Sequence, residues 1–474
     1  MTTANTPAGR PGNLTPEQEE SLRRLWSLLF RVFGRDTTNE GAVDLPGPDA
    51  PATEQPAAAQ AEKAKKKKGL FSRRTADTPS PGGSAVFEPS SVSEADGDDK
   101  HGQVRQYLDT LANMSPDSIR ETMWAMVKHD NPDALLLRFL RARKWDVERA
   151  LVMLIATMNW RAVDMHVDDD IMRKGEGDAA AAEKGQDGAA KTLGHDFLAQ
   201  MRMGKAFLHG LDKAGRPICF VRVRLHHQGD HSEEALERNT VYIIETCRML
   251  LAPPVDTATI VFDMTGFSLS NMDYTPVKFM IKCFEANYPE SLGTVLVYKA
   301  PWVFQGIWKI IRGWLDPVVA SKVQFLNNAK EMAAFVDLTG LPKEVDGLEE
   351  WNYHYDEPVE GENAKMADTA TRDRISDARQ QLIAEYEQET LRWIKRGSGD
   401  TAAACKESRT AIAAKLRENY WELDPYIRAR SLWDRTGMIK PGGVLDFYPH
   451  RNRNGATSNG NSGSAVETSA DDVD

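Results

Sequence analysis

The sequence predicts an α/β protein with a helical N-terminal lobe, a lobe built on a mostly parallel sheet, and a C-terminal helical extension. Three observations carry this. Between residues 205 and 326 short apolar runs alternate with helical patterns, the order that builds a parallel sheet. From 103 to 163 the apolar residues recur with helical period throughout. Beyond 373 two further helical stretches follow.

The 474 residues carry a formal net charge of −11, which argues against a general nucleic-acid binder. No stretch reaches the ~18–20 apolar residues needed to span a bilayer. The polar start, with no apolar run behind a basic segment, is not that of a secretory signal. Cys219, Cys247, Cys283 and Cys405 are far apart and form no Cys-x-x-Cys pair, so a structural zinc site is not expected. Three sit in apolar surroundings, as buried free thiols do in a reducing compartment.

The first element, within 14–34, is a helix over 15–33. Thr15 is its N-cap, Pro16 suits the first turn and Gln18 completes a capping box. Leu22, Leu25, Trp26, Leu29 and Phe30 form one apolar stripe. That stripe packs on the protein's own core or lies on a membrane surface; a polar face both acidic and basic favours the core. Residues 35–99 are rich in Pro, Ala, Gly, Ser and acidic residues and read as a disordered linker. Within it a basic island spans 63–74, with Lys65, Lys66, Lys67, Lys68, Leu70, Phe71, Arg73 and Arg74. It is a solvated linker, an anionic-leaflet contact or a nuclear import signal.

The helical lobe is expected over 101–172, with Asp146 capping a helix that carries Ala150, Leu151, Leu154, Ile155 and Met158. The Gly/Ala/Asp-rich stretch 174–194 reads as an inserted loop. The sheet lobe is expected over 195–355. Its strands are placed at 205–211, 217–223, 257–264, 294–298 and 323–326, and its helices at 233–251, 272–287 and 302–314, with a short one from Asp316. Asp212-Lys-Ala-Gly-Arg216 is a hairpin turn joining the first two strands. After a linker at 352–372, the helical extension covers 373–440, with helices at 373–396 and 403–422. An Asn/Gly/Ser-rich disordered tail covers 451–474.

No Gly-x-Gly-x-x-Gly opens a helix, no P-loop is present, and no Gly-x-Ser-x-Gly elbow occurs. His226, His227 and His231 lie in a polar stretch without an obvious fourth ligand, so they read as solvated loop histidines rather than a metal site. What remains is charge set in apolar elements: Arg143, Glu290 and Lys322. Buried charge requires partners, so these form either a structural ion-pair network or a polar wall for a ligand. The segment 302–314 carries Trp302, Phe304, Trp308 and Trp314 on more than one face, so it is buried or meets lipid.

Five pieces in order carry a resemblance: Leu-Leu-Arg-Phe-Leu-Arg-Ala-Arg-Lys-Trp-Asp over 136–146, Asp212-Lys-Ala-Gly-Arg-Pro217, Phe262-Asp-Met-Thr-Gly266, Tyr288-Pro-Glu290 and Leu-Asp-Pro-Val-Val-Ala-Ser-Lys over 315–322. Pro11-Gly-Asn-Leu14 also fits. The sequence resembles the CRAL-TRIO lipid-binding and transfer family, in its fungal phosphatidylinositol/phosphatidylcholine transfer branch. The resemblance implies a sheet flooring an apolar lipid pocket, and a gate helix at 302–314 bearing Trp302, Phe304, Trp308 and Trp314. It implies that Arg143, Glu290 and Lys322 hold a phosphoinositide head group, and that Ser268 and Ser270 match hydroxyl positions for phosphocholine. The family's threonine three positions before the lysine is Val319 here.

The implied function is lipid exchange between membranes by a non-enzyme. It needs no cofactor besides its bound phospholipid and acts in the cytoplasm, peripheral on intracellular membranes. Phosphatidylinositol and phosphatidylcholine are the implied ligands. A neutral ligand (sterol precursor, isoprenoid or heme) is the alternative. A lipid-sensing adaptor with a lipid kinase or regulatory protein as partner is another.

Overall fold

The computed structural model describes residues 6–35, 99–397 and 399–451. The basic island and nearly all of the predicted linker 35–99 and tail 451–474 lie outside them. Helices α1 (Pro16–Val32), α2 (Gln103–Asn113), α3 (Pro116–Val127), α4 (Pro132–Ala142) and α5 (Val147–Asn159) come first. The Thr15 capping box forms as its sequence demands, with Gln18 N–H donating to the Thr15 hydroxyl. The α1 stripe is buried against the protein's own core.

Two helices follow where a loop is predicted: α6 (Met172–Lys184) and α7 (Gly188–Met203). This corrects the reading of 174–194. Alanine is the strongest helix former, and Asp187 caps α7 by accepting from the Ala189 and Ala190 amides. Gly194 explains the small residues: a Cβ there would sit 2.6 Å from the Ala179 carbonyl oxygen. The composition that looks like low complexity is what lets α6 and α7 pack closely.

The sheet runs β1 (Ala206–Leu211), β2 (Pro217–Arg222), then α8 (Glu233–Met249), β3 (Ala258–Asp263), α9 (Tyr274–Lys282), β4 (Leu292–Tyr298), α10 (Phe304–Arg312), α11 (Pro317–Ser321), β5 (Val323–Leu326) and α12 (Ala329–Met332). Strand order is β1-β2-β3-β4-β5. β1 pairs antiparallel with β2 through the predicted hairpin, where Asp212 accepts from the Ala214 and Arg216 amides. The other pairings are parallel. Cys219, Ile260, Val295 and Val323 stand side by side in register.

The chain closes with α13 (Thr369–Arg396), α14 (Asp400–Ile427), α15 (Leu432–Arg435) and a small hairpin of β6 (Ile439–Lys440) and β7 (Val444–Leu445). This C-terminal extension joins both cores. Ile383, Tyr386, Trp393 and Leu416 pack with Trp26, Phe30 and Trp124 of the helical lobe. Tyr420, Trp421 and Trp433 pack with the sheet lobe. All four cysteines are buried free thiols. Among the described residues, no helix is long and apolar enough to cross a membrane.

Candidate functional site

One face of the sheet floors a cavity of about 270 Å³. Cys219 and Val221 of β2, Ile260 and Phe262 of β3, and Val295 and Val297 of β4 form its floor. Alternation along each strand places these residues on one face, and parallel register aligns them. α8 and α9 wall the sides. Phe304, Trp308 and Ile311 of α10 close it from outside. α10 is amphipathic: those three side chains turn inward while Lys309, Ile310 and Arg312 lie toward solvent.

The predicted gate residues divide. Phe304 and Trp308 line the cavity. Trp314 packs edge-on against Tyr274, with centroids 5.2 Å apart, and Lys278 lies over its ring. Trp302 stands in the turn before α10, 87% exposed.

The predicted head-group residues lie elsewhere. Arg143 caps the end of α4 and donates to Gln103 Oε1. Gln103 in turn donates to the Ala286 carbonyl, in the segment leading to Glu290. Glu290 adopts φ 55° just ahead of β4, and its carbonyl accepts from Arg138 at 2.9 Å. Lys322 precedes β5, where its carbonyl accepts from Val295 N–H. Glu290 and Lys322 stand at the amino ends of β4 and β5, and Arg143 is tied through Gln103 to the segment before β4; none of the three lines the cavity, whereas Val319 does. Ser268 and Ser270 are exposed and hydrogen-bonded to each other at 2.7 Å. Both precede Asn271, which reaches the cavity and accepts from the Ser268 amide.

The polar part of the wall lies near the opposite, carboxyl ends. It includes Gln200, Lys205, His226, Asn239, Thr240, Asn271 and Asp273. This corrects the reading of His226 and His231 as solvated, while His227 is exposed as read. His226 lines the cavity, with Nε2 3.3 Å from Asp273 Oδ2 and Nδ1 3.1 Å from Lys205 Nζ. His231 Nδ1 lies 3.5 Å from the same ammonium. Burial, then the neighbouring Lys205, holds both imidazoles below their ordinary range. Burial pushes Lys205 down to about 8, against the pull of Asp230 and Asp273. Among the described residues no cluster of His, Cys, Asp and Glu is arranged to hold a metal ion. Lys205 escaped the sequence reading because it opens an apolar strand and falls in no motif.

The CRAL/TRIO domain profile matches residues 201–347, and the CRAL/TRIO N-terminal domain profile matches 100–156. A "CRAL-TRIO domain-containing protein" of Schizosaccharomyces pombe is 40% identical over 92% of this chain and 93% of its own length. "Phosphatidylinositol transfer protein CSR1" of Eremothecium gossypii is 37% identical over 91% of this chain and 98% of its own. "Phosphatidylinositol/phosphatidylcholine transfer protein SFH7" of Arabidopsis thaliana is 27% identical over 47% of this chain and 40% of its own.

Proposed function

The chain belongs to the CRAL-TRIO family, and on that premise we propose that it is a non-enzymatic carrier that exchanges phosphatidylinositol between membranes. The observation that carries this reading is the apolar cavity floored by the sheet and closed by α10. Moving that one short helix opens the cavity, and its outer face offers Ile310, Lys309 and Arg312, with exposed Trp302 beside it, to an anionic interface. The name of the Eremothecium relative supports phosphatidylinositol, and that of the Arabidopsis relative supports phosphatidylcholine as a second cargo. In this reading Arg143, Glu290 and Lys322 hold the inositol phosphate at the rim, with Ser268 and Ser270 near a choline head. The carrier works in the cytoplasm and meets membranes transiently.

A second reading keeps the fold and changes the cargo to a neutral apolar ligand. It draws on two observations: the three rim charges stand outside the cavity wall, and the apolar Val319 lines it. Mass spectrometry of lipids that co-purify with the protein separates the readings. Phosphatidylinositol in the extract, with transfer falling about tenfold in Lys322→Ala, supports the first. A neutral lipid alone, or full transfer by both Lys322→Ala and Glu290→Ala, overturns the head-group assignment.

A further inference from the structure

Lys205 is a buried cation inside an apolar cavity. Its side chain lies beneath the surface and lines the space directly. An ammonium has three N–H donors. Two point to His226 Nδ1 and His231 Nδ1. For His226 to accept there, its Nε2 must carry the proton, and that nitrogen faces Asp273. Among the described residues Lys205 forms no ion pair with a carboxylate; Asp230 and Asp273 act on it only through their fields, and Asp196 acts on His231. Neighbouring Arg222 does not substitute for it, because its guanidinium is held by Glu344 and by the Met203 and Gly204 carbonyls. Buried charge without a counter-ion is costly, and an arriving anion relieves that cost. Asn239, Thr240 and Asn271 stand in the same wall as further polar contacts.

We propose that Lys205, with His226 and His231, forms an internal cationic subsite that takes the phosphate or carboxylate head of a single-chain amphiphile, whose tail runs along the apolar floor. The inference rests on reading the cavity as a lipid site, and it places a head group at the end of the sheet opposite Glu290 and Lys322. The chemistry shared by its ligands is one anionic oxygen group on one alkyl chain.

The test is calorimetric titration of the full chain with oleoyl lysophosphatidate, oleate, monooleoylglycerol and inorganic phosphate. Both anionic lipids should bind at least about tenfold more tightly than monooleoylglycerol, as expected for a charge-assisted hydrogen bond in a dry site. Inorganic phosphate, with no chain to bury, should bind far more weakly. Lys205→Met should collapse the anionic-to-neutral affinity ratio, and Lys205→Arg should keep most of it. Equal affinity of the wild type for anionic and neutral lipid overturns the subsite while leaving the lipid cavity intact. Inorganic phosphate binding as tightly as lysophosphatidate overturns it too. Binding of none of the lipids overturns both the subsite and the lipid reading.

Discussion

Helix α8 separates two groups of buried charge that are built on opposite principles. Its Glu245 belongs to the seam with the helical lobe. There Arg161 donates to Glu245 at 2.6 Å and to Asp168 at 2.9 and 3.1 Å, Lys128 pairs with Asp168, and Arg248 pairs with Glu245. Each charge in that seam meets its opposite within the protein. Around the same helix, Asn239, Thr240 and Ile243 line the cavity, where Lys205 has two imidazoles and, among the described residues, no carboxylate partner. Paired charge in the seam is architecture. Among the described residues buried Arg379 also lacks a carboxylate partner, but it donates to the Leu416 and Lys128 carbonyls, whereas Lys205 faces the cavity.

The comparison breaks most visibly if the seam turns out not to matter. Arg161 is 1% exposed and Glu245 is fully buried. Their mutual field holds Glu245 well below the usual carboxylate range in spite of burial. Arg161→Met removes the guanidinium that Glu245 and Asp168 share and leaves them Arg248 and Lys128 alone, so it should cost about 3 kcal/mol in urea unfolding. A loss below about 1 kcal/mol would show the seam to be incidental.

The next effect concerns acid. His129 adjoins Lys128 in the seam, its ring tilted against Trp421 with centroids 5.1 Å apart and with Nε2 3.3 Å from the Leu251 carbonyl. Burial pushes it down to about 4. The unfolded chain therefore binds this proton first. Stability falls as pH drops from 6.5 toward 4, by up to about 3 kcal/mol from this group. The seam carboxylates, held low by their cations, add their loss only at lower pH. Unfolding midpoints measured between pH 7 and 4 should slope downward, and His129→Gln should flatten that slope.

How much of this was legible in the sequence depends on what each residue needed. The strands and α8 to α11 were legible because hydrophobic period and turn chemistry are local: Asp212 and Gly215 sit where the hairpin requires them. α6 and α7 were not, because Gly194 is explained only by Ala179 across the helix pair. The gate was legible in part: the tryptophans announced an interface, but only packing separates inward Trp308 from exposed Trp302. Family motifs drew attention to Arg143, and to Glu290 and Lys322 at the amino ends of the strands. Lys205 belongs to no motif, and its company of His226 and His231 is assembled by the antiparallel pairing of β1 with β2.

The smallest expected effect is the most discriminating. If Lys205 were structural like Arg161, Lys205→Met would destabilise the fold. Methionine has nearly the same reach and carries no charge to desolvate. The substitution forfeits two hydrogen bonds to imidazoles but removes a buried cation with no carboxylate partner among the described residues, so the folded state should be unchanged or gain up to about 1 kcal/mol. The sign with pH is fixed. Burial lowers the folded Lys205 to about 8 from an ordinary 10.5. The cost of its charge is thus present below pH 8 and fades as pH rises from 8 toward 10.5. Any stability advantage of Lys205→Met should shrink across that window. A variant that unfolds several kcal/mol earlier at pH 7 would place Lys205 with the seam charges and erase the contrast between the two sides of α8.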